Sequence, residues 1–417
     1  MLRPNTHVLT PRSQTPNTPH YTGTMPHTRK EEVEMDLSEL EAVTQRLLQK
    51  SFGYESQAAG LITRVLLYAQ MRGNSQGVIK LLTGGVPAYK DANLTPIEVE
   101  HETKLSARLH GHGAAGMLVL DRATTMAITK AKEHGLSVVA AHGTSSGTGA
   151  IGFFARTMAE AGLVGIVLSQ SPELMAPHGS YEPILGTNPF AVGVPREDGA
   201  PPLVLDMATS AYAWYAIKEA QAAGQSIPAD VAFDKRGRPT TDPSEALAGA
   251  LRVFDRSYKG SHIALMVEIM GGALAGGDVE EKWERRNWGN LVLAIDPEVL
   301  GQSLKGFTAK VEAVLKRVKE AKPVPPPMTT EEEEEEKRGK EKGVAAGGGE
   351  GRGKSSGSSS SSSSGGGAAG GPSLPGERSE ALAAAVLKRG RIRLERSVYE
   401  GLMKAAASPN ADRTEID

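Results

Sequence analysis

From Asp36 to Gln49 the apolar residues Leu37, Leu40, Val43, Leu47 and Leu48 recur at the spacing of a helix with one buried face. A second helix is expected over 55–71. Residues 84–116 read as Pro-, Gly- and His-rich loop with short strand. Helix texture returns from Leu118 to His134 and stops at Gly135, a residue suited to the left-handed turn after a helix end. Leu136 to Ala141 is a continuous apolar run and predicts a buried strand, and Val164 to Ser169 predicts another. Between them lie a Gly-rich stretch, 143–152, and a helix over 153–161. Further strands are expected at 189–194, 202–206 and 290–295, with helices at 210–223, 244–251, 261–275 and 303–321.

Two stretches break the alternation. Residues 1–30 contain no Asp or Glu, carry Arg3, Arg12, Arg29 and Lys30, and are rich in Thr, Pro and Asn. They read either as a disordered leader or as an organellar transit peptide. Residues 323–372 hold a proline run, six consecutive glutamates (331–336) and seven consecutive serines (358–364). Such a segment buries too little apolar surface to offset chain entropy, and is expected to be a disordered insertion. Helix-and-strand texture resumes from Ser379 to Ala407. The expected organisation is therefore a leader (1–30), an N-terminal helical region for substrate and dimer contacts (31–116), a sheet domain (117–322), the insertion (323–372), and a C-terminal segment (373–417) packing on the N-terminal region.

Composition narrows the functions available. Lys plus Arg is 47 and Asp plus Glu is 49, so no basic surface announces nucleic-acid binding. No apolar run reaches the length needed to cross a bilayer. The chain has no cysteine, which excludes disulfides, thiolate nucleophiles and Cys-based zinc sites. A small-molecule enzyme or binding protein remains, cytoplasmic, or organellar if the leader is a transit peptide.

Gly147, Gly149 and Gly152 satisfy G-x-G-x-x-G between a strand and a helix, where backbone approaches a pyrophosphate at a helix N-terminus. The parallel dinucleotide fold also wants an acidic residue at the tip of the next strand. That strand ends Ser169-Gln170-Ser171, so a plain glycine-rich turn is the favoured reading. Asp206 ends an apolar strand, and Thr209-Ser210 is placed to cap a following helix. There Asp206 serves either as a turn residue or as an acceptor for ribose hydroxyls. Lys259 opens an apolar helix, where its charge opposes the helix dipole, and so calls for an anionic partner, a phosphate or a nearby carboxylate. His110 and His112 have no third metal ligand announced by spacing, and no metal site is assigned.

Taken together and in order, GTNPFA (186–191), LVLDMATS (203–210), IPADVAFDKRGRPTTDP (227–243), YKG (258–260) and PGER (375–378) resemble the malate/L-lactate dehydrogenase family, which includes ureidoglycolate dehydrogenase. The resemblance covers about 36–322 and 373–407. It implies an α/β fold with a mixed, largely antiparallel cofactor sheet, a helical domain from the two terminal segments, and a homodimer. It further implies NAD or NADP as cofactor and a small 2-hydroxy or 2-keto acid as substrate. Carried over by position, Asp206, Met207, Ala208, Lys259 and Ser171 would hold the dinucleotide in one pocket, and Ser75 and Lys80 the substrate carboxylate. The family's acid–base histidine falls on Gly147, a second histidine on Gln76, and the clamp arginine on Lys80, which lacks the bidentate fork. His142 and His178, in neighbouring loops, are the candidates for the missing acid–base role. The alternative is a relative that binds dinucleotide without turnover.

Overall fold

The computed structural model describes residues 31–89, 96–144, 146–324 and 371–407. The leader 1–30 and nearly all of the 323–372 segment lie outside the described residues. In chain order the elements are β1 (Glu32–Asp36), α1 (Leu37–Lys50), α2 (Ser56–Met71), β2 (Glu98–Glu102), β3 (Ser106–His110), α3 (Gly116–His134), β4 (Leu136–Thr144), α4 (Gly152–Glu160), β5 (Val164–Ser169), β6 (Phe190–Val194), β7 (Leu203–Met207), α5 (Trp214–Ala222), β8 (Ala232–Phe233), α6 (Pro243–Ala248), β9 (Ala250–Leu251), α7 (Tyr258–Val267), α8 (Lys282–Arg285), β10 (Trp288–Ile295), α9 (Leu304–Lys319), α10 (Glu377–Arg389), β11 (Arg391–Glu395) and α11 (Arg396–Ala407).

Seven strands form the main sheet in the order β2-β3-β4-β10-β5-β6-β7. Only β3 and β4 run parallel; every other neighbouring pair is antiparallel. The late strand β10 threads between β4 and β5, and its run WGNLVLAI is almost wholly buried, as a central strand requires. The sheet is thus mixed and mostly antiparallel, unlike a doubly wound dinucleotide fold.

One face of the sheet carries the main core. Helices α3 and α4 lie on it, burying Val119, Leu120, Phe154 and Met158 against Val139, Val167, Ala191 and Val292. The fit is closest at Gly193, where an added Cβ would overlap the Ala155 carbonyl of α4. Gly193→Ala is expected to force α4 away from β6 and to lower unfolding stability by about 1–3 kcal/mol, measured by chemical denaturation. On the other face a smaller cluster forms around Leu168, Val267 and Leu291, leaving Val138, Ala140, Ile166 and Leu293 only partly covered.

The chain's two ends meet: β1 and β11 pair antiparallel from Glu32↔Glu395 to Asp36↔Arg391, beside α1 and α11. On α1 the predicted apolar stripe is the buried one, with Leu40, Val43, Leu47 and Leu48 inside. Gly135 ends α3 at φ +84°. Three expected helices differ. The 210–223 helix begins only at Trp214, because Ala211 N–H donates to Arg252 O at 2.7 Å and keeps the chain extended. Thr209 and Ser210 consequently cap nothing; their hydroxyls donate to the Thr187 and Tyr212 carbonyls. The 244–251 helix stops at Ala248, and Ala250–Leu251 pairs with β8 instead. The 261–275 helix starts early, at Tyr258 on a Ser257 cap, and loosens after Val267.

Candidate active site

A cavity of about 540 Å3 lies where the ends of β4, β5, β7 and β10 meet α5 and the segment 74–88. Its wall includes Lys80, Gly147, Ser171, Asp206, Met207 and Ala208. A larger cleft of about 1120 Å3, lined by Arg72, Ser75, Arg378 and Glu380 among others, adjoins it. Asn74, Asp206, Ala208, Ser210 and Ala213 face both, so the end of β7 is the shared wall.

Asp206 reaches that wall because β7 ends against the start of α4. Its carboxylate accepts the Gly152 N–H at 3.0 Å, at a helix end that favours negative charge. A Cβ at Gly152 would stand 2.8 Å from the Asp206 side chain, so this glycine is a requirement of the close approach. Burial raises the Asp206 pKa to about 6, and the Gly152 bond restrains the rise. The third glycine of the G-x-G-x-x-G run therefore makes room for a carboxylate of its own chain.

Lys80 sits in a single 3-10 turn, Val78–Leu81, and is 1% exposed. Its Nζ lies 3.8 Å from the centre of the Tyr215 ring on α5. It also lies 3.5 Å from the point where a Gly147 side chain would begin. Burial, reinforced by Lys218, pushes the Lys80 pKa down to about 7. Lys80, Lys218 and Arg286 face Asp206 as the sole carboxylate among the described lining residues, so the cavity suits an anionic ligand.

Ser171 is held by the GTNP turn. Its Oγ lies 3.1 Å from Thr187 Oγ1, and its N–H donates to Asn188 Oδ1. Asn188, at φ +35°, donates in turn to Glu268 Oε2 at 2.7 Å. The other Glu268 oxygen accepts from the buried Lys282 Nζ at 2.6 Å and from Gln170 Nε2 at 2.7 Å. This ion pair anchors three loops behind the cavity. Sequence reading missed it, although a glutamate inside an otherwise apolar helix was its signal.

Four expected site residues stand elsewhere. Lys259 is exposed on the first turn of α7 and lines neither cavity, so it does not converge with Asp206. Asp255 satisfies the helix start, its carboxylate accepting the Ser257 and Gly260 N–H groups. Ser75 faces the larger cleft, because Asn74 Oδ1 accepts the Gln76 N–H and turns the two residues apart. His178 is exposed, with its N–H donating to Ser261 Oγ. His142 points into a cluster at the sheet edge, its Nε2 donating to Glu100 at 2.9 Å and its ring 4.7 Å from that of His110. Donor atoms of Glu100, His110 and His142 lie within 4.8 Å of one another. Glu100, however, already accepts from Arg108, and His110 Nδ1 accepts the His112 N–H, which leaves the proton on Nε2. Within the group only His142 and Glu100 share a hydrogen bond, and no histidine lines the 540 Å3 cavity among the described residues.

Sequence reading also missed Tyr215, Lys218, Ser169, Asn290 and the tryptophans. Trp214, Trp283 and Trp288, all three of the chain's tryptophans, line the cavity. Ser169 and Asn290 are register partners on β5 and β10. The Ser169 hydroxyl and both polar atoms of the Asn290 amide are buried without a hydrogen-bond partner.

Comparison with known proteins accords with this architecture. The malate/L-lactate dehydrogenase family profile matches residues 35–346. The chain is 34% identical over 300 residues to Delta(1)-pyrroline-2-carboxylate reductase 1 of Burkholderia ambifaria, covering 69% of this chain and 87% of that one. It is 32% identical over 283 residues to L-sulfolactate dehydrogenase of Methanothermobacter thermautotrophicus, covering 64% and 80%. A dehydrogenase structure from Sinorhizobium meliloti superposes with a TM-score of 0.70 at 25% identity, over 90% of this chain and 99% of that one. No described helix is long and apolar enough to cross a membrane. With three quarters of its length matched and the mixed sheet reproduced, the chain belongs to the malate/L-lactate dehydrogenase family.

Proposed function

We propose that the protein is an NAD(P)-dependent oxidoreductase that moves hydride between the nicotinamide and C2 of a small 2-hydroxy or 2-keto acid, or of the related cyclic imino acid. The observation that carries this reading is the convergence of Lys80, Ser171, Asp206, Met207 and Ala208 on one cavity rich in positive charge. Relatives named for a sulfolactate and for a pyrroline-2-carboxylate support a carboxylate-bearing substrate with a reducible oxygen or nitrogen beside it.

The residues present fit a nicotinamide dinucleotide. A buried polar group without a partner costs about 1–3 kcal/mol, and the Asn290 amide and Ser169 hydroxyl are such groups in the cavity wall. A primary carboxamide, which the nicotinamide carries, supplies the matching donor and acceptor. Asp206 would accept from ribose hydroxyls, Ser171 would hydrogen-bond the cofactor, and the adjoining cleft with Arg72 and Arg378 extends along the same wall. When bound, the dinucleotide supplies or accepts the hydride. Lys80 and Lys218 hold the substrate carboxylate, and Tyr215 with the surrounding tryptophans excludes water. The test is a thermal-shift screen of the full-length protein against the oxidised and reduced forms of both nicotinamide dinucleotides, followed by a panel of 2-keto and cyclic imino acids. Stabilisation by at least one dinucleotide is expected, since a ligand of the folded state raises stability by mass action. No stabilisation by any of them contradicts the reading. Stabilisation without turnover favours a binding relative that lacks activity.

We further propose a homodimer. Ile263, Met266, Met270 and Leu274, with Leu265 and Ile269 beside them, leave an apolar stripe exposed along α7 and the segment after it. This stripe flanks the partly covered face of the sheet, the 268–272 segment lying against β5 and β10. An exposed apolar patch of this kind marks an association surface. Met266→Glu combined with Met270→Glu is expected to give a monomer in sedimentation analysis where the parent chain sediments as a dimer.

A further inference from the structure

Hydride delivery to a carbonyl or imine carbon leaves the adjacent oxygen or nitrogen in need of a proton, and the reverse reaction needs that proton removed. Among the described residues, the titratable side chains lining the cavity are Lys80, Asp206, Tyr215, Lys218 and Arg286. Asp206 is tied to the start of α4 through Gly152. Burial lifts the Tyr215 phenol to about 12, and Arg286 is an exposed, permanently charged group at the rim. Lys218, on α5, is only partly buried.

We propose that Lys80 is the catalytic acid–base residue, passing a proton between its amine and the oxygen or nitrogen on C2 of the substrate. This assignment rests on the oxidoreductase reading above. Three features of placement support it. The absence of a side chain at Gly147 leaves open the space beside Nζ, which stands 3.5 Å from where that side chain would begin. The Tyr215 ring, 3.8 Å from Nζ, fixes the amine from the α5 side. No carboxylate pairs with the amine among the described ion pairs, so its proton is not held in a salt bridge. The charged groups facing it are Lys218 from α5, which disfavours its protonated form, and Asp206 from β7 across the cavity. A pKa lowered to about 7 keeps both forms populated at neutral pH.

In the reductive direction the transferred hydride forms a new C–H bond at C2. The π pair of the C=O or C=N bond moves onto the heteroatom, and an ammonium proton of Lys80 moves to that atom. A secondary alcohol or amine, the oxidised dinucleotide and neutral Lys80 result, and solvent reprotonates the lysine. In the oxidative direction neutral Lys80 takes the hydroxyl proton as hydride leaves C2. Lys80 thereby combines the charge that draws in a carboxylate with the proton the reaction consumes.

Full-length wild type, Lys80→Ala and Lys80→Arg are compared. Lys80→Ala is expected to bind dinucleotide like wild type, measured by fluorescence titration, while losing about 100-fold or more in turnover. Added methylamine or ethylamine should restore turnover, the rate rising with amine basicity. The limb near pH 7 in the wild-type profile of kcat/KM should be absent in Lys80→Arg. Independently of turnover, competitive acylation of the ligand-free protein should show Lys80 ionising some units below the surface lysines. Lys80 ionising with the surface lysines, or a Lys80→Ala variant with undiminished turnover, overturns the proposal. So does a variant whose lost turnover no amine restores. Dinucleotide binding by a wild type that turns over no substrate overturns it too, and failure of wild type to bind any dinucleotide overturns the oxidoreductase reading itself.

Discussion

Replacing Lys80 by methionine should leave a protein that is harder to unfold and almost inactive. The side chain keeps its apolar stem against Tyr215 and Gly85 and loses only the amine. In the folded protein that amine has its pKa lowered from 10.5 to about 7 by burial and by Lys218. Between those two values the unfolded chain binds more protons than the folded one. Stability attributable to this group is therefore fully present above pH 10.5 and is lost as pH falls toward 7. At neutral pH the buried amine costs on the order of 3–5 kcal/mol, which the methionine variant recovers. Denaturant titrations at about pH 7 and about pH 9.5 check this: wild type should gain stability with pH across that interval, and Lys80→Met should not. Turnover in the same variant should fall by about 100-fold to 10,000-fold, the range for loss of a positioned proton donor. A gain in stability at the expense of function is expected where a fold holds a strained or poorly solvated group for its chemistry.

Asp206→Ala should abolish useful dinucleotide affinity. Hydrogen bonds to a charged acceptor contribute about 1.5–3 kcal/mol each, so losing one or two of them weakens binding by about 10-fold to about 20,000-fold. Asp206→Asn keeps an oxygen for the Gly152 N–H and removes the buried charge. The wild-type pKa is raised from 3.8 to about 6 by burial. This group's contribution to stability is therefore greatest below pH 3.8 and is lost as pH rises through about 6. The asparagine variant should accordingly be at least as stable as wild type at pH 7 while binding dinucleotide more weakly. In wild type, affinity should decline as pH drops below about 6 and the carboxylate protonates. Calorimetric titration across pH separates these effects.

Much of this architecture was readable from the chain. The apolar spacing of α1, the glycine stop of α3 and the unbroken apolar runs of β4, β5 and β10 act through local geometry, and each formed where expected. Periodicity does not report strand order. The insertion of β10 between β4 and β5 was not legible at all; the family motifs implied only that the sheet is mixed and largely antiparallel. Those motifs led to the strand tip at Asp206–Ala208 and to Ser171, which face the cavity together with Lys80. They pointed also to Lys259, which stands exposed on the first turn of α7 and lines neither cavity, while the backbone there is capped by Asp255. His142 came from no motif and was chosen only for its nearness in the chain, whereas its surroundings depend on Glu100 and His110 arriving from neighbouring strands. Lys80 was read as a weak substitute for a bidentate arginine. Its burial, and the space beside Gly147, are properties of distant segments brought together, and no local pattern encodes them.

The most direct test of the central claim, that this cavity holds the nicotinamide end of a dinucleotide, uses the chain's own tryptophans. Trp214, Trp283 and Trp288 all line the cavity, so a reduced nicotinamide bound there lies within energy-transfer distance of every indole in the protein. Titrating NADH and NADPH into the full-length protein while exciting tryptophan should quench indole emission and raise sensitised nicotinamide emission along one saturable curve, and Asp206→Ala should flatten it. Indole emission that stays unquenched, with no sensitised nicotinamide emission at millimolar dinucleotide, would contradict the account.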